Sequence, residues 1–445
     1  MTGGINQLAY RGAQDIYITG NPQITYFVGI YRRYTNFSIE TIPQYFNGNA
    51  DFGQKIYCKL DRIGDLVNQI FLRVRLPSLK QYAYTDDQGN PVNFYWVNSI
   101  GHALIKFIEI EIGGVVIDRH YGIWYEIWSE LTVDASQRLG YYEMVGKSEN
   151  AINVNNDEEL DLWIPLQFWF NRFIGSSLPL IALQAQEVRI NVAFRDLQQL
   201  IITSNGEPFT PELCCGLSRK KNGQIPETVS IIGAYLDVDY IFLEEELRKN
   251  FAQNNHQYLI EQLQVYATQL ESDKPSDPTV PTSVRVANKF QRVIMNFNHP
   301  VIELIWIFQN SDVLTIYPFG GNEWFNFSTQ SYQNGQLVGK DPMINAKIVF
   351  DGKDRLEYKP AKYYRTVQNF QRHTNTPNNY IYVYSFALKP EEFQPSGSCN
   401  FSRIDDQELY IHINDELINP VINVFARNIN ILNIAGGMAG IEYMT

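Results

Sequence analysis

Short runs in which apolar and polar residues alternate dominate the pattern along the chain. A period of two, rich in β-branched and aromatic residues, is typical of half-buried strands. The clearest runs are Lys106–Gly114, Glu187–Phe194, Tyr235–Leu243 and Tyr380–Leu388. Glycine and proline separate them, as at Asn21-Pro22, Gly113-Gly114, His299-Pro300 and Asp351-Gly352. The pattern therefore predicts short strands joined by turns.

Three segments are predicted to be helical. Tyr121–Leu139 places one apolar face at spacings of three and four residues, made by Trp124, Trp128, Leu131, Ala135 and Leu139. Glu244–Gln253 is short, polar and charged, and it follows a predicted strand. Because it separates two halves of the chain, we interpret it as the connector between domains. Ala361–His373 is the third helix candidate.

A weak internal repeat relates the two halves. The matched segments are Lys106–Gly114 with Ala346–Gly352, Asp65–Pro77 with His299–Asn310, and Leu178–Phe194 with Ala387–Ile413. The offsets are about 239, 235 and 221 residues, and the three matches occur in the same order. Few residues are identical, so the match between the two halves rests on the pattern of apolar, polar and turn residues. Repetition at a fixed period indicates a tandem duplication.

The repeat leads to an all-β fold class. Each unit has about 200 residues, which suits eight strands with long connections. The simplest architecture is two tandem eight-stranded jelly-roll β-sandwiches, with a few short helices in loops. We predict an N-terminal arm over residues 1–25, a first jelly roll over residues 26–250 ending in the connector helix, and a second jelly roll with a C-terminal tail over residues 251–445.

Composition adds an expectation about partners. Of the 445 residues, 44% are hydrophobic, 14% are aromatic and only 19% are charged. Such a surface favours contact with other protein, because tyrosine offers apolar area and one polar group. The net charge of −12 argues against a DNA-coating protein. We therefore expect no direct nucleic-acid binding, and we interpret Arg32-Arg33 and Arg219–Lys221 as solvated or ion-paired.

The search for catalytic, cofactor or metal sites finds none. The cysteines (Cys58, Cys214, Cys215 and Cys399) form no CxxC pair, and no two histidines have metal-ligand spacing. His120, in Asp118-Arg119-His120, is a candidate general base, but a hydrogen-bonded structural role is favoured. Gly436–Gly440 is interpreted as a flexible tail. A carboxylate pair for glycoside hydrolysis stays open, since its spacing is spatial. We predict no enzyme, no bound metal and no cofactor.

Three sequons make Asn36, Asn326 and Asn400 candidate glycosylation sites, although unmodified asparagine is the favoured reading. Ser311–Asp341 is predicted to be a surface loop because of its Gly, Asn, Ser and Pro content. The N-terminus has no signal-peptide pattern, and no run reaches the roughly 18 apolar residues of a membrane span. We expect a soluble protein, made in the cytosol, with reduced cysteines.

Long sequence blocks resemble a known family. Gly3–Ile42, with GAQDIYITGNPQITYF followed by YRRYTNF, is similar to the N-terminus of the major capsid proteins of nucleocytoplasmic large DNA viruses. Chlorella viruses, mimiviruses, marseilleviruses and iridoviruses belong to this group. Further blocks that agree are Leu178–Ile190, Val238–Gln253, His256–Gln264, Asn296–Pro300, Tyr384–Asp405 and Asn423–Gly440. The loops at 78–95, 209–227 and 311–341 show no family pattern.

The resemblance implies a structural role in the virion. It implies two consecutive jelly rolls, a homotrimer that forms a pseudo-hexagonal capsomer, and capsomers that tile an icosahedral shell above an internal membrane. The implied partners are other copies of the chain, neighbouring capsomers, and minor capsid and penton proteins, with the membrane layer reached indirectly. Assembly is expected in the host cytoplasm.

Two other functions compete with this one. A jelly-roll protein of the virion that binds a carbohydrate or a receptor would need a polar and aromatic groove. An enzyme on a β-sandwich would depend on one carboxylate or histidine, and no candidate stands out. Neither alternative accounts for the N-terminal block, so a structural capsid protein is the favoured prediction.

Overall fold

The computed structural model describes residues 3–85, 88–148, 153–154, 158–203, 229–270, 272–273, 286–287, 289–310, 322–330, 339–414, 417 and 420–443. The chain divides into two compact units, Met1–Phe37 and Ser38–Thr445. The predicted arm at residues 1–25 falls within the first unit. The predicted boundaries at residues 25 and 250 remain predictions.

The N-terminal unit contains two short helices, α1 (Gly3–Ala9) and α2 (Ile16–Thr19). Neither helix buries a residue. Apolar side chains of this unit, among them Tyr17, Phe27 and Tyr31, are exposed. The segment therefore builds no core of its own, as its sequence pattern predicts.

The second unit consists mainly of strands. In the described part of the first half they are β1 (Phe37–Tyr45), β2 (Lys55–Lys59), β3 (Leu66–Leu76), β4 (Tyr84–Thr85), β5 (Pro91–Val92), β6 (Phe94–Val97), β7 (Ile105–Ile112), β8 (Val115–Tyr121), β9 (Asn153–Val154), β10 (Leu160–Pro165), β11 (Val188–Phe194), β12 (Ile201–Thr203) and β13 (Gly233–Leu243). In the second half they are β14 (His256–Gln269), β15 (Ser272–Asp273), β16 (Val286–Ala287), β17 (Phe290–Met295), β18 (Pro300–Asn310), β19 (Met343–Phe350), β20 (Lys353–Pro360), β21 (Tyr382–Ser385), β22 (Cys399–Asn400), β23 (Gln407–Ile413), β24 (Pro420–Ala435) and β25 (Met438–Ile441).

The helices of this unit lie in the connections between strands. They are α3 (Ile100–Leu104), α4 (Gly122–Thr132), α5 (Arg138–Val145), α6 (Trp169–Arg172), α7 (Glu245–Gln253) and α8 (Gln368–Arg372), with a π-helical turn at Tyr363–Val367 directly before α8. Short 3₁₀ turns occur at Lys80–Tyr82, Ile174–Ser176, Leu180–Ala182, Leu197–Gln199 and Phe401–Arg403. Helix α7 joins β13 to β14, at the position predicted for the connector.

Four main sheets form two sandwiches with the same strand order. Sheet I has the order β1-β13-β3-β10 and sheet II the order β2-β11-β7-β8. Sheet III has the order β14-β24-β18-β21 and sheet IV the order β17-β23-β19-β20. Numbering the eight strands of each sandwich along the chain gives 1-8-3-6 and 2-7-4-5 in both halves. This arrangement confirms the predicted fold class of two tandem eight-stranded jelly rolls.

The matched segments of the internal repeat occupy equivalent strands. The pairs are β7 with β19, β3 with β18, and β11 with β23. The turns Gly113-Gly114 and Asp351-Gly352 both close the hairpin between the fourth and fifth strands of their sandwiches. The tandem duplication predicted from the hydrophobic pattern is therefore confirmed by the topology.

The third strands of the two sandwiches differ in how many faces they bury. Strand β3 alternates, so that Ile70, Leu72 and Val74 enter the first core while polar residues such as Arg75 point outward. Strand β18 reads PVIELIWIFQN and is buried on both faces. Near-continuous apolar runs are expected where both faces of a sheet are covered. Something must therefore cover the outward face of sheet III.

Two local predictions were wrong. The helix predicted over Tyr121–Leu139 ends at Thr132, because Val133 is extended and the Asp134 side chain accepts hydrogen bonds from Ser136. Ala135 and Leu139 therefore do not continue its apolar face, and Leu139 is exposed. The glycine-rich segment at 436–440 is not a free tail, since the pair at 436–437 turns β24 into β25 with positive φ at both residues.

Gly122 is predicted to be intolerant of any side chain. A Cβ at this position would lie 2.2 Å from His102 O and 2.4 Å from Ile105 O, both backbone atoms. Gly122→Ala should destabilise the protein by about 2–3 kcal/mol, because backbone must move. Gly140→Ala in α5 is the control, since a Cβ there meets nothing within 4 Å. Thermal melting of both variants at one protein concentration checks this, and an unchanged melting temperature for Gly122→Ala would contradict it.

Candidate functional site

Helix α4 of the first sandwich covers the outward face of sheet III. Its apolar side chains Trp124, Ile127, Trp128 and Leu131 form one buried cluster with Ile305, Ile307, Phe327, Ile381, Val383 and Phe425. The Trp124 ring lies 5.7 Å from the Phe425 ring. Fully burying a large apolar side chain stabilises by roughly 1.5–3 kcal/mol. This junction therefore contributes a large part of the attraction that holds the two sandwiches together, and Ile260, Leu432 and Ile434 add a second apolar contact where they join the core of the first sandwich.

Edge strands add polar contacts to the junction. Leu263 N in β14 donates to Asp118 Oδ1 in β8 over 3.0 Å, and the Gln262 side chain donates to Ile117 O. Asp118 Oδ2 also lies 2.9 Å from His120 Nε2, and the His120 ring stacks on Phe168 at 4.7 Å. His120 is buried. The cluster Asp118-Arg119-His120 thus has a structural position beside the junction, which favours the structural role over a general base.

A chain of buried charges crosses the junction. Glu261 in β14 binds Arg172 of the first sandwich and Arg427 in β24. Arg427 also binds Glu303 in β18, and its guanidinium lies 4.2 Å from the Trp128 ring centre. Because each carboxylate and guanidinium has an opposite charge beside it, the cost of burying them is compensated. The pairing fixes how the two sandwiches dock.

His373 extends this charge chain beyond Glu303. Its Nε2 lies 3.0 Å from Glu303 Oε2, and its Nδ1 lies 2.8 Å from Glu391 Oε1. Burial alone would lower the pKa of His373, but the charges and hydrogen bonds of Glu303 and Glu391 together outweigh burial and raise the pKa to about 9. Burial alone would raise the pKa of Glu303, but His373 and Arg427 lower it to about 2. Both groups are therefore charged near neutral pH.

A second buried network holds α4 within the first sandwich. Glu126 in α4 accepts from His102 Nδ1 at 2.6 Å and from Lys147 Nζ at 2.7 Å. Lys147 also binds Glu130. Burial would raise the pKa of Glu126, but the Lys147 charge and the His102 contact lower it to about 2. The network orients α4 so that its opposite side faces sheet III.

The three sequons lie in different environments. Asn36 belongs to the N-terminal unit and is exposed, and Asn400 is exposed with its side-chain oxygen accepting from Ser402 N at 3.1 Å. Asn326 is buried, and its amide donates to Glu323 Oε2 at 2.6 Å and to Gln330 O at 2.8 Å. A glycan on Asn326 would replace one of the two amide hydrogens, so at least one of these bonds would have to break. Asn36 and Asn400 remain the accessible candidates.

The prediction of a surface loop over Ser311–Asp341 was wrong for residues 322–329, which are buried or half-buried. Asn322 donates to Gln198 O and Ile201 O, and Trp324 Nε1 donates to Gln199 O at 2.7 Å. These contacts dock the segment on the first sandwich, which supplies the burial that its Asn and Ser content did not indicate. Residues 311–321 and 331–338 lie outside the described residues.

No candidate metal site is found in the parts of the chain that the structure describes, where no group of three His, Cys, Asp or Glu could hold an ion. Cys58 is buried and Cys399 is half-buried, and neither is in a disulfide. Burial raises the pKa of the Cys58 thiol to about 12. Cys214, Cys215 and Arg219–Lys221 lie outside the described residues. None of the described helices is long and apolar enough to cross a membrane.

Sequence reasoning missed the buried charges at the junction. Their signal was a single charged residue inside an otherwise apolar strand, as with Glu303 in VIELIWIF and Arg427 in NVFARNIN. Such residues are rarely buried without a partner. The pattern could have marked each position, but it could not have identified the partner.

Comparison with known proteins agrees with the two-sandwich fold. Residues 25–244 match the family described as major capsid protein N-terminus, and residues 247–440 match the large eukaryotic DNA virus major capsid protein family. The major capsid protein of Pyramimonas orientalis virus is 37% identical over 471 aligned residues, and that of Paramecium bursaria Chlorella virus 1 is 33% identical over 477. Each match covers 100% of both chains.

A solved structure supports the same relationship. The chain in the quasi-atomic model of the PBCV-1 virus capsid has a TM-score of 0.72 and 29% identity, with 95% of this chain and 100% of that chain covered. The fold defines a double jelly-roll structural protein. The chain belongs to the major capsid proteins of large eukaryotic DNA viruses. It is a structural component of the virion capsid and not an enzyme.

His373 is predicted to make stability depend on pH. Its pKa is raised from 6.5 in the unfolded chain to about 9 in the folded one. The stabilisation is therefore complete below pH 6.5 and is lost as the pH rises through 9. His373→Gln should lower the free energy of unfolding by about 3 kcal/mol at pH 6, with a difference that shrinks toward zero above pH 9. Urea titrations across this range measure the difference.

Lys249→Gln is the matched control. Lys249 forms an exposed pair with Glu245 one helical turn away. Its loss should change the free energy of unfolding by less than about 0.5 kcal/mol at every pH. If the free energies of unfolding of the wild type and His373→Gln differed by the same amount at every pH, His373 would not be charged in the folded protein, and the prediction would be contradicted.

Proposed function

We propose that three copies of this chain assemble into a capsomer with a pseudo-hexagonal outline, and that many capsomers tile an icosahedral shell over an internal membrane. The observation that carries the proposal is the shared strand order, 1-8-3-6 and 2-7-4-5, of the two sandwiches. Three chains with two similar sandwiches each supply six similar units. Closed threefold symmetry makes such an assembly finite.

Exposed apolar side chains in the described part of the second sandwich support contact with further protein. Phe290, Ile294, Ile344 and Phe370 all lie on the surface of the single chain. Removing each of these side chains from water would stabilise a contact by roughly 1.5–3 kcal/mol. Contacts between copies and between capsomers would cover such area.

The N-terminal arm is proposed to bind neighbouring capsomers or minor capsid and penton proteins. Its exposed aromatic and aliphatic side chains bury nothing within the unit Met1–Phe37. Contact of the chain with the membrane layer is proposed to be indirect, through such proteins. The net charge of −12 disfavours direct binding of the genome. Assembly is proposed to take place in the host cytoplasm.

Native mass spectrometry of the purified full-length protein tests the trimer. The expected mass is three times the 51.5 kDa of one chain, about 154 kDa. Light scattering at several concentrations is the control for nonspecific association. A stable monomer would contradict the proposal, and so would a hexamer of six equivalent chains.

A further inference from the structure

The junction inside the chain uses two surfaces, and each has a counterpart that the described residues leave at least partly exposed. The first surface is a helix that follows the fifth strand of a sandwich, and the second is the outward face of the sheet with order 1-8-3-6. Within one chain, α4 of the first sandwich lies on sheet III of the second. The counterparts are the helical segment 361–372, which follows β20, and the outward face of sheet I.

We infer that neighbouring copies of this chain bind each other through these counterparts, with segment 361–372 of one copy on the outward face of sheet I of the next. The inference rests on the proposed trimer, and it names the surfaces that would close it. Each copy then contributes one helix and one sheet face. Contacts of this head-to-tail kind form a ring when the rotation closes.

The helical segment presents apolar side chains at the positions that α4 uses. The residues of α4 that enter the junction are the third, seventh and tenth after β8, namely Trp124, Trp128 and Leu131. The same positions after β20 are Tyr363, Val367 and Phe370. Val367 is 38% exposed and Phe370 is 83% exposed. Tyr363 is half-buried against the second core, so in a single chain Val367 and Phe370 are the two that lack the cover their α4 counterparts have.

Sheet I presents a matching row of side chains. In sheet III the outward row opposite α4 is Phe425, Ile305 and Val383, which are paired across neighbouring strands. The row at the equivalent strands of sheet I is Tyr235, Arg73 and Trp163. The Arg73 guanidinium lies 4.4 Å from the Trp163 ring centre and 5.4 Å from that of Tyr235. The row is largely aromatic and half-exposed, which suits an aromatic anchor such as Phe370.

The charges of the two surfaces favour contact of the helical segment with sheet I over contact between two copies of the same surface. The helical segment 361–372 carries three basic residues, Lys362, Arg365 and Arg372, and no acidic one. The strands of sheet I carry four acidic residues and two basic ones: Glu40, Asp161, Asp237 and Asp239 with Arg73 and Arg75. Burial raises the pKa of Asp237; the Arg73 charge opposes this, and the nearby Asp239 and Asp161 add to the rise. The basic helical segment therefore complements the acidic sheet, whereas two copies of either surface would repel.

Phe370→Asp in the full-length protein tests the helical side. Truncating an anchor residue weakens the binding free energy of a contact by about 2 kcal/mol or more. This corresponds to about a 30-fold rise in the dissociation constant of that contact. Native mass spectrometry should show trimer for the wild type and mainly monomer for the variant, with an unchanged far-ultraviolet circular dichroism spectrum. Leu139→Asp is the matched control, because Leu139 is an apolar residue on helix α5 that is 72% exposed. The Leu139→Asp variant should remain a trimer.

Cross-linking tests both sides together and does not depend on Phe370→Asp remaining folded. The double variant Phe370→Cys with Tyr235→Cys, treated with a short bismaleimide, should give covalent dimers and trimers in a denaturing gel. The wild type and each single variant are the controls for reaction of the native cysteines. A ladder confined to the double variant would place residues 370 and 235 of neighbouring copies together.

The outcomes separate the inference from the proposal on which it rests. A wild-type trimer that persists in Phe370→Asp and gives no specific cross-link overturns the assigned surfaces and leaves the trimer standing. A wild-type monomer overturns the proposed trimer itself, and the assigned surfaces with it. Dissociation of Phe370→Asp together with the specific ladder supports both.

Discussion

The outward face of sheet III is apolar, and the rest of the structure depends on covering it. Strand β18 places Trp306 in the second core and Ile305 and Ile307 on the opposite face. Exposed to water, that opposite face would cost several kcal/mol, since each large side chain contributes roughly 1.5–3 kcal/mol on burial. Helix α4 removes it from water, which explains why both sandwiches lie in one compact unit.

Buried charges at the same junction have a different role. Opposite charges in a protein interior roughly offset their own desolvation, so Glu303, Arg427 and Glu261 add little net attraction. Removing one partner would leave an uncompensated charge, which makes any other docking geometry costly. Apolar burial thus supplies the attraction, and the ion pairs determine the relative position of the two sandwiches.

Much of this fold could be predicted from the sequence, because local rules set it. Alternation indicated the strands, paired turn residues located the hairpins, and the repeat was visible as pattern although few residues match. The predictions that failed depended on particular side-chain contacts, which a hydrophobic pattern does not show. Burial of Asn326 depends on docking against residues 198–201, and the end of α4 depends on a side-chain turn at Asp134. The charge pairs join residues up to 166 positions apart, so spacing could not reveal them.

Duplication gives a capsid protein a geometric advantage that one sandwich lacks. Two similar units in one chain can fill a nearly sixfold outline with threefold symmetry, while each unit keeps its own loops and its own interfaces. Cryo-electron microscopy of the purified assembly tests this directly. We predict six sandwich densities in a ring, alternating between two shapes and related only by a threefold axis. Six identical densities related by a true sixfold axis would contradict the account.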